Sequence, residues 1–312
     1  MTASDPGQPA DHGAGPQLER LWDPSHGGSP AHDAPAEVRG GLFPPDLADR
    51  YDGELHVALR PDRPTVIANF VSTIDGVVAF DLDGSSGGGE VSGFFDPDRF
   101  VMGVLRAMAD VVLVGAGTVR AAPTHEWTPR RVHRRSAESF AAWRARMGIA
   151  SPQPTTIVAT ASGDLDLAHP GLSTPDVPVI IATTAAGAER LGAAAPRPNV
   201  RIETVGTGRR VSAASLIEMA ASTGARLVLC EGGPHLIGDL VAAGLLDELF
   251  LTVAPQLAGR DLAQRRFGLV EGTAFAVSDA PWAGLRSVRR AGDHLFLRYR
   301  MGSASPSRQR LR

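Results

Sequence analysis

The chain contains no lysine: the 31 basic residues among its 312 are all arginine. Without a lysine amine there is no Schiff-base nucleophile and no phosphate-loop cation of the Walker type. That absence argues against pyridoxal enzymes, class I aldolases, Walker ATPases and ordinary kinases. Cysteine is nearly as scarce, with Cys230 alone. One thiol allows no disulfide within the chain and no multi-cysteine zinc site, and it fits a cytoplasmic protein. No apolar run approaches the roughly 20 residues of a membrane span, and the N-terminus lacks the basic and apolar regions of a signal peptide. A net charge of -3 points to neither nucleic acid nor an anionic membrane as a partner.

What is present is ordinary globular composition, 43% hydrophobic and 21% charged. Residues 1–41 are rich in Gly, Pro, Ala, Asp and His without an apolar period. They read as a disordered tail, with His12, His26 and His32 as solvated residues and no metal site. Residues 302–312 read as a flexible C-terminal tail. The stretch 42–301 reads as one domain. Within it, strand-like runs at 65–71, 111–114, 156–159, 179–182, 200–205, 226–230 and 248–253 alternate with helix-like segments. Asp96-Pro97 is a helix start, with Asp96 as N-cap; 137–148 is a surface helix; 212–222 and 236–243 are further helices. Repeated strand–helix–strand units predict an α/β fold: a mainly parallel sheet with helices on both faces. The segments 285–290 and 294–299 add an antiparallel C-terminal hairpin. The glycine-rich loop 81–93 is equally a ligand-covering loop or a surface loop.

Three strand ends carry the chemistry. The first is Asn69-Phe70-Val71-Ser72-Thr73-Ile74-Asp75-Gly76, a buried strand running into hydroxyls, a carboxylate and a glycine. At the carboxyl edge of a parallel sheet such ends bind ligands, although Asp-Gly is also a common turn. The second is Val114-Gly115-Ala116-Gly117-Thr118-Val119, where small residues lead into a helix starting near Thr118. The third is Cys230-Glu231-Gly232-Gly233-Pro234-His235-Leu236, a carboxylate and an anion nest ahead of a helix. Tight structural turns are the competing reading of both. A fourth segment, Leu246-Asp247-Glu248-Leu249 through Pro255, reads as structural, because its acids precede a core strand.

In this order, together with Leu105-Arg106-Ala107, these segments resemble the C-terminal reductase domain of bacterial deaminase-reductases of riboflavin biosynthesis, whose fold is that of dihydrofolate reductase. The resemblance spans residues 64–299. It implies a stand-alone NADPH-dependent reductase of a pyrimidine carrying a ribosylamino phosphate, because the deaminase signature His-x-Glu with Pro-Cys-x-x-Cys does not occur. It places Gly115, Gly117 and Thr118 against the cofactor, and Gly232, Gly233, Pro234, His235 and Leu236 around its pyrophosphate. Ser72 falls on the nicotinamide side, and Thr160 and Ser162 at the adenosine end. Asn69, Arg106 and Glu231 fall on the substrate side, with Arg106 pairing a substrate phosphate. Asp75 and Glu231 are the candidate catalytic carboxylates, since hydride transfer to an imine-like carbon needs a proton donor of raised pKa. A homodimer is part of the same expectation.

The sequence departs from the family pattern at two places. An acid expected after the Thr-Val turn is Ala122, and the 160–163 loop has no arginine for a 2′-phosphate. A pterin or dihydrofolate activity, a flavin- or deazaflavin-dependent reductase, and a non-catalytic nucleotide-binding module are the alternatives these departures leave open.

Overall fold

The computed structural model describes residues 17–24, 37–81, 88–192, 197–205, 210–261 and 264–302. Its strands are β1 (Glu19–Trp22), β2 (Val38–Gly40), β3 (His56–Ala58), β4 (Thr65–Thr73), β5 (Val111–Gly115), β6 (Thr155–Ala159), β7 (Val179–Thr183), β8 (Val200–Thr204), β9 (Leu227–Cys230), β10 (Glu248–Ala254), β11 (Ala283–Ala291) and β12 (His294–Met301). Its helices are α1 (Pro45–Tyr51), α2 (Gly88–Ser92), α3 (Asp96–Met108), α4 (Ala116–Ala121), α5 (Pro129–Val132), α6 (Ala137–Arg146), α7 (Pro170–Ser173), α8 (Ala185–Gly192), α9 (Ala213–Ser222) and α10 (Pro234–Ala242). One sheet runs in the order β1-β11-β12-β10-β4-β9-β5-β6-β7-β8, and β2 pairs with β3 apart from it. From β10 to β8 all neighbours are parallel. β12, β11 and β1 continue the other end antiparallel. This is the predicted mainly parallel α/β sheet with its C-terminal hairpin.

The central strands are apolar throughout because helices cover both faces. Side chains alternate between two cores. On one face Leu227, Leu229, Val112 and Val114 meet Phe100 and Leu105 of α3 and Trp143 of α6. On the other, Val228, Cys230, Val111 and Leu113 meet Leu216 of α9 and Ile237 and Leu240 of α10. Asp110, between α3 and β5, accepts the backbone N–H groups of Arg226 and Leu227 at 2.8 and 2.9 Å. It thereby sets the start of β9 beside β5.

α3 carries the site, and it is anchored at both ends. At its C-terminus the buried Arg144 donates through Nη1 to the carbonyls of Arg106, Ala107 and Ala109 (3.3, 2.8 and 2.7 Å), and through Nε and Nη2 to Ser151. A cation on the last carbonyls of a helix satisfies groups the helix cannot. Burial pulls this guanidinium down to about 10. At the N-terminus Asp96 is the first helical residue and Phe95 the cap, with no side-chain cap bond. The expected Asp96 N-cap is thus corrected. Its carboxylate turns outward to Arg50 at 2.8 Å and to His133 and Arg135 at 3.4 and 3.5 Å. The His133 hydrogen bond, with the charges of His133, Arg135 and Arg50, holds Asp96 at about 2.

Two further expectations change. The sheet does not begin at residue 42: β1 lies on the edge of β11, and β2 pairs with β3. β1 has four residues, too short for a visible apolar period; it is held by Arg290–Glu19 (2.6 Å) and by the Arg20 N–H on Asp52 (2.8 Å). Residues 1–16 and 25–36, with His12, His26 and His32, and the C-terminal 303–312 lie outside the described residues. α6 is a surface helix as expected, with Glu138, Ala141, Ala142, Ala145 and Arg146 exposed and Phe140, Trp143 and Arg144 buried on its inner face. α4 and α10 start at Ala116 and Pro234, two residues earlier than predicted in each case. Of the 81–93 loop, 82–87 lie outside the described residues and 88–92 form α2.

Candidate active site

A cleft of about 380 Å³ opens at the carboxyl ends of β4 and β9, walled by α2, α3 and the segment 121–132. Parallel strands deliver their chain ends to this edge, which is where open α/β sheets place ligands. The cleft gathers Asn69 from β4, Arg106 from α3, Thr118 from α4, and Glu231, Gly232, Gly233 and Pro234 from the turn after β9. These are seven of the predicted residues, brought together from four separate elements.

The two small-residue turns adjoin. The Glu231 N–H donates to the Leu113 carbonyl at 3.0 Å, and a Cβ on Gly233 would lie 3.5 Å from the Thr118 hydroxyl. At Gly115 and Gly117 an added Cβ would meet nothing within 4 Å. Neither glycine is needed for packing. Both leave open the space a ligand backbone-on contact requires. α10 has its free N–H groups at this turn, with Pro234 in its first turn.

Arg106 is fully buried and every N–H it has is used. Nε donates to Glu231 at 2.9 Å and Nη2 to Glu231 Oε2 at 2.6 Å; Nη1 donates to the carbonyls of Glu126 and Thr128 at 3.2 and 3.3 Å. The last donor of Nη2 meets His125 Nε2 at 2.8 Å. A guanidinium has five N–H donors, so none is left for a substrate phosphate, and that expected role is corrected. Arg106 fixes Glu231 instead. The uncommitted cation of the cleft wall is Arg99 on α3, which is exposed, sits over the Phe94 ring at 5.6 Å and forms no ion pair among the described residues.

Other predicted residues fall outside the cleft. Ser72 is buried in β4 opposite Val253. Asp75 accepts from the Thr73 hydroxyl (2.6 Å) and the N–H groups of Ala258 and Gly259 (3.1 and 2.8 Å). The Thr73 bond foremost, then the backbone bonds, hold Asp75 at about 2. A carboxyl held there has no proton to give near neutrality, so the expected raised pKa does not occur, and Asp75 ties the 256–260 strap to the end of β4. His235 turns to Phe267, ring centroids 6.2 Å apart, and Leu236 packs its side chain over Gly232. At the edge of β6 the hydroxyls of Thr160 and Ser162 accept the N–H groups of Gly163 and Asp164 (3.1 and 3.2 Å). Both hydroxyls shape the loop. Gly163 has φ +68 and a would-be Cβ only 2.3 Å from the Gly187 carbonyl oxygen, so glycine is required there.

Two cleft residues escaped the sequence reading. Asp98, one turn into α3, is 5% exposed and lines the cleft. Burial, with the Glu231 charge added, pushes it up to about 6 against the opposing hydrogen bonds of Thr252 and Ser92. The missed signal was a carboxylate three residues before Val101 and seven before Leu105, on the apolar stripe of an amphipathic helix. The second is His125, driven down to about 3 by burial and then by the charge of Arg106. Nothing in its surroundings in the chain marks it; Arg106, its partner, is 19 residues away.

Among the described residues no cluster of His, Cys, Asp and Glu is placed to hold a metal ion, and no helix is long and apolar enough to cross a membrane.

Relatives are found in archaea and bacteria. A 2,5-diamino-6-ribosylamino-4(3H)-pyrimidinone 5′-phosphate reductase of Methanothermobacter thermautotrophicus is 28% identical over 240 residues, covering 76% of this chain and 98% of that protein. Acinetobacter baumannii RibD superposes with a TM-score of 0.57 at 20% identity, over 77% of this chain and 59% of the larger RibD chain. A pyrimidine reductase-like protein of Corynebacterium diphtheriae superposes with a TM-score of 0.56 at 20% identity, over 77% and 93% of the two chains. Residues 64–287, which hold β4 to β10 and every element of the cleft, match the RibD C-terminal domain, and the chain belongs to that family.

Proposed function

We propose that the protein is an NADPH-dependent reductase of a ribosylamino-pyrimidinone phosphate in riboflavin biosynthesis. The observation that carries this reading is the meeting, in one cleft, of Thr118 and the Gly232-Gly233 turn with two carboxyls, Asp98 and Glu231, while Gly115 and Gly117, open to a ligand, adjoin it in the turn before Thr118. The turns suit a dinucleotide: Gly115, Gly117 and Thr118 on one side, Gly232, Gly233 and the α10 N-terminus on the other. When bound, the nicotinamide supplies a hydride. Reduction of a carbon–nitrogen double bond also needs a proton at nitrogen. Asp98 is the carboxyl placed to give it, being still partly protonated near pH 6. Glu231, held by Arg106, accepts from amino and ring N–H groups of the heterocycle. Arg99 at the cleft wall takes the phosphate role that Arg106 has no donor to fill.

Preference for NADPH over NADH is supported by Arg120 of α4. Its Nη1 donates to the Asp164 carbonyl at 3.0 Å, which brings an arginine to the 160–164 loop that has none of its own. On the uncovered face of the hairpin, Leu285 lies opposite Tyr299 and alternates onto the same side as Leu295; both leucines are exposed. That face supports a homodimer. A cytoplasmic enzyme drawing on the reduced nicotinamide pool fits this reading.

Titration of wild type and R120A with NADPH and NADH, followed by nicotinamide fluorescence, tests it. Wild type is expected to bind NADPH more tightly, and R120A to lose that margin while its NADH affinity holds. Binding of neither nucleotide by wild type overturns the proposal.

A further inference from the structure

His125 stands in the segment between α4 and α5, where its backbone N–H donates to the Ala122 carbonyl at 3.0 Å. Its ring packs edge-on against Trp127, centroids 5.2 Å apart, and Trp127 in turn stacks on His169 at 5.8 Å. The imidazole is therefore held in place. Its Nε2 lies 2.8 Å from Nη2 of Arg106. A guanidinium in a protein donates and never accepts, so Nε2 must carry the lone pair. A neutral ring then has its proton on Nδ1. Burial and the neighbouring arginine keep the ring neutral at all ordinary pH values. Nδ1 has no hydrogen-bond partner among the described residues. It is not among the enclosed, unsatisfied atoms either, and the residue lines the cleft.

The other end of the chain is equally ordered. The nitrogen of Arg106 that meets His125 also donates to Glu231 Oε2 at 2.6 Å. One nitrogen thus fixes both Glu231 and the His125 ring, whose Nδ1–H lies across the ring from that contact. A ring carbonyl oxygen accepts from such a donor, whereas an amino group in its place turns N–H toward it and does not.

We propose that His125, locked as its Nδ1–H tautomer by Arg106, donates to a ring carbonyl oxygen of the substrate and so restricts the cleft to pyrimidinones. The inference rests on the reductase reading for the nature of the ligand, and its test is independent of turnover.

The full-length protein labelled with ¹⁵N-histidine is titrated with 2,6-diaminopyrimidin-4-one and with 2,4,6-triaminopyrimidine, which has an amino group in place of the carbonyl. Expected are a protonated Nδ1 and an unprotonated Nε2 from pH 5 to 9, and an Nδ1–H signal that moves with the pyrimidinone. The pyrimidinone should bind about tenfold more tightly than the triamine, the worth of one well-placed donor. H125L should abolish that ratio, and H125N, whose amide nitrogen falls near Nδ1, should keep most of it. An Nε2–H tautomer, a ring titrating between pH 5 and 8, or an unchanged ratio in H125L overturns the inference while leaving the reductase reading intact. A tenfold ratio with no NADPH oxidation by any pyrimidinone substrate sinks the reductase reading and upholds the donor. Should H125L fail to fold, the wild-type tautomer and the H125N ratio still decide.

Discussion

Replacing Asp98 by Asn removes the one cleft carboxyl whose proton is held up to about pH 6. In the unfolded chain that carboxyl titrates near 3.8. Between those values the folded state keeps a proton the unfolded state releases, so wild-type stability falls as pH rises through the window and is level above it. The shift of about two units corresponds to about 3 kcal/mol at 1.36 kcal/mol per unit. The group is only 5% exposed, so solvent screening takes little from that figure. D98N lacks the titration and keeps the carbonyl oxygen facing Thr252 and Ser92. Its stability relative to wild type should therefore rise by about 3 kcal/mol from pH 4 to pH 7. Urea unfolding at unit pH intervals, with equal m-values in both proteins, measures the difference. Catalysis should move the other way. Wild-type kcat should decline above about pH 6, and D98N should be slower by about 10²–10⁴ with a flat profile. A stability difference that does not change with pH, or a D98N enzyme with wild-type kcat, refutes the assignment of Asp98 as the buried acid.

R106M leaves Glu231 as a buried unpaired carboxylate and strands the Glu126 and Thr128 carbonyls. A loss of about 3–5 kcal/mol in chemical unfolding is expected, far above that of an exposed phosphate-binding arginine. G117V should leave the unfolding midpoint in place, since no atom lies within 4 Å of the added Cβ, yet weaken NADPH at least tenfold in the fluorescence titration. L285E with L295E should bring the particle measured by light scattering from the mass of two chains to that of one; an unchanged mass rejects the hairpin face as the dimer surface.

The fold was legible because its signals are local. Apolar strands, each followed by a helix, mark a parallel sheet, and the Gly292-Asp293 turn marks the hairpin. Segments held by distant partners were not legible. β1 depends on β11, more than 260 residues away, and the buried face of α6 looks polar in sequence because its buried arginine serves the end of another helix. The site divides in the same way. Glu231 and the glycine turns could be found from strand ends alone. Which carboxyl keeps its proton could not, because burial and neighbours decide it: Asp75 lies at a strand end where backbone N–H groups stabilise its charge, and Asp98 lies in an enclosed cleft beside another acid. Arg106 was rightly placed but misread in role, since only the structure shows its donors used up.

β1 has a consequence for how copies of the chain meet. It occupies the hydrogen-bonding rim of β11, which would otherwise present a row of unpaired amides and carbonyls, a template for another chain's strand. A chain trimmed to begin at Leu42 would keep the whole cleft and lose that cover. Rim-to-rim addition need not close on itself, so such a chain would grow into open-ended aggregates, whereas a face-to-face hairpin pair stops at two. The short N-terminal strand thus keeps that rim from templating open-ended growth.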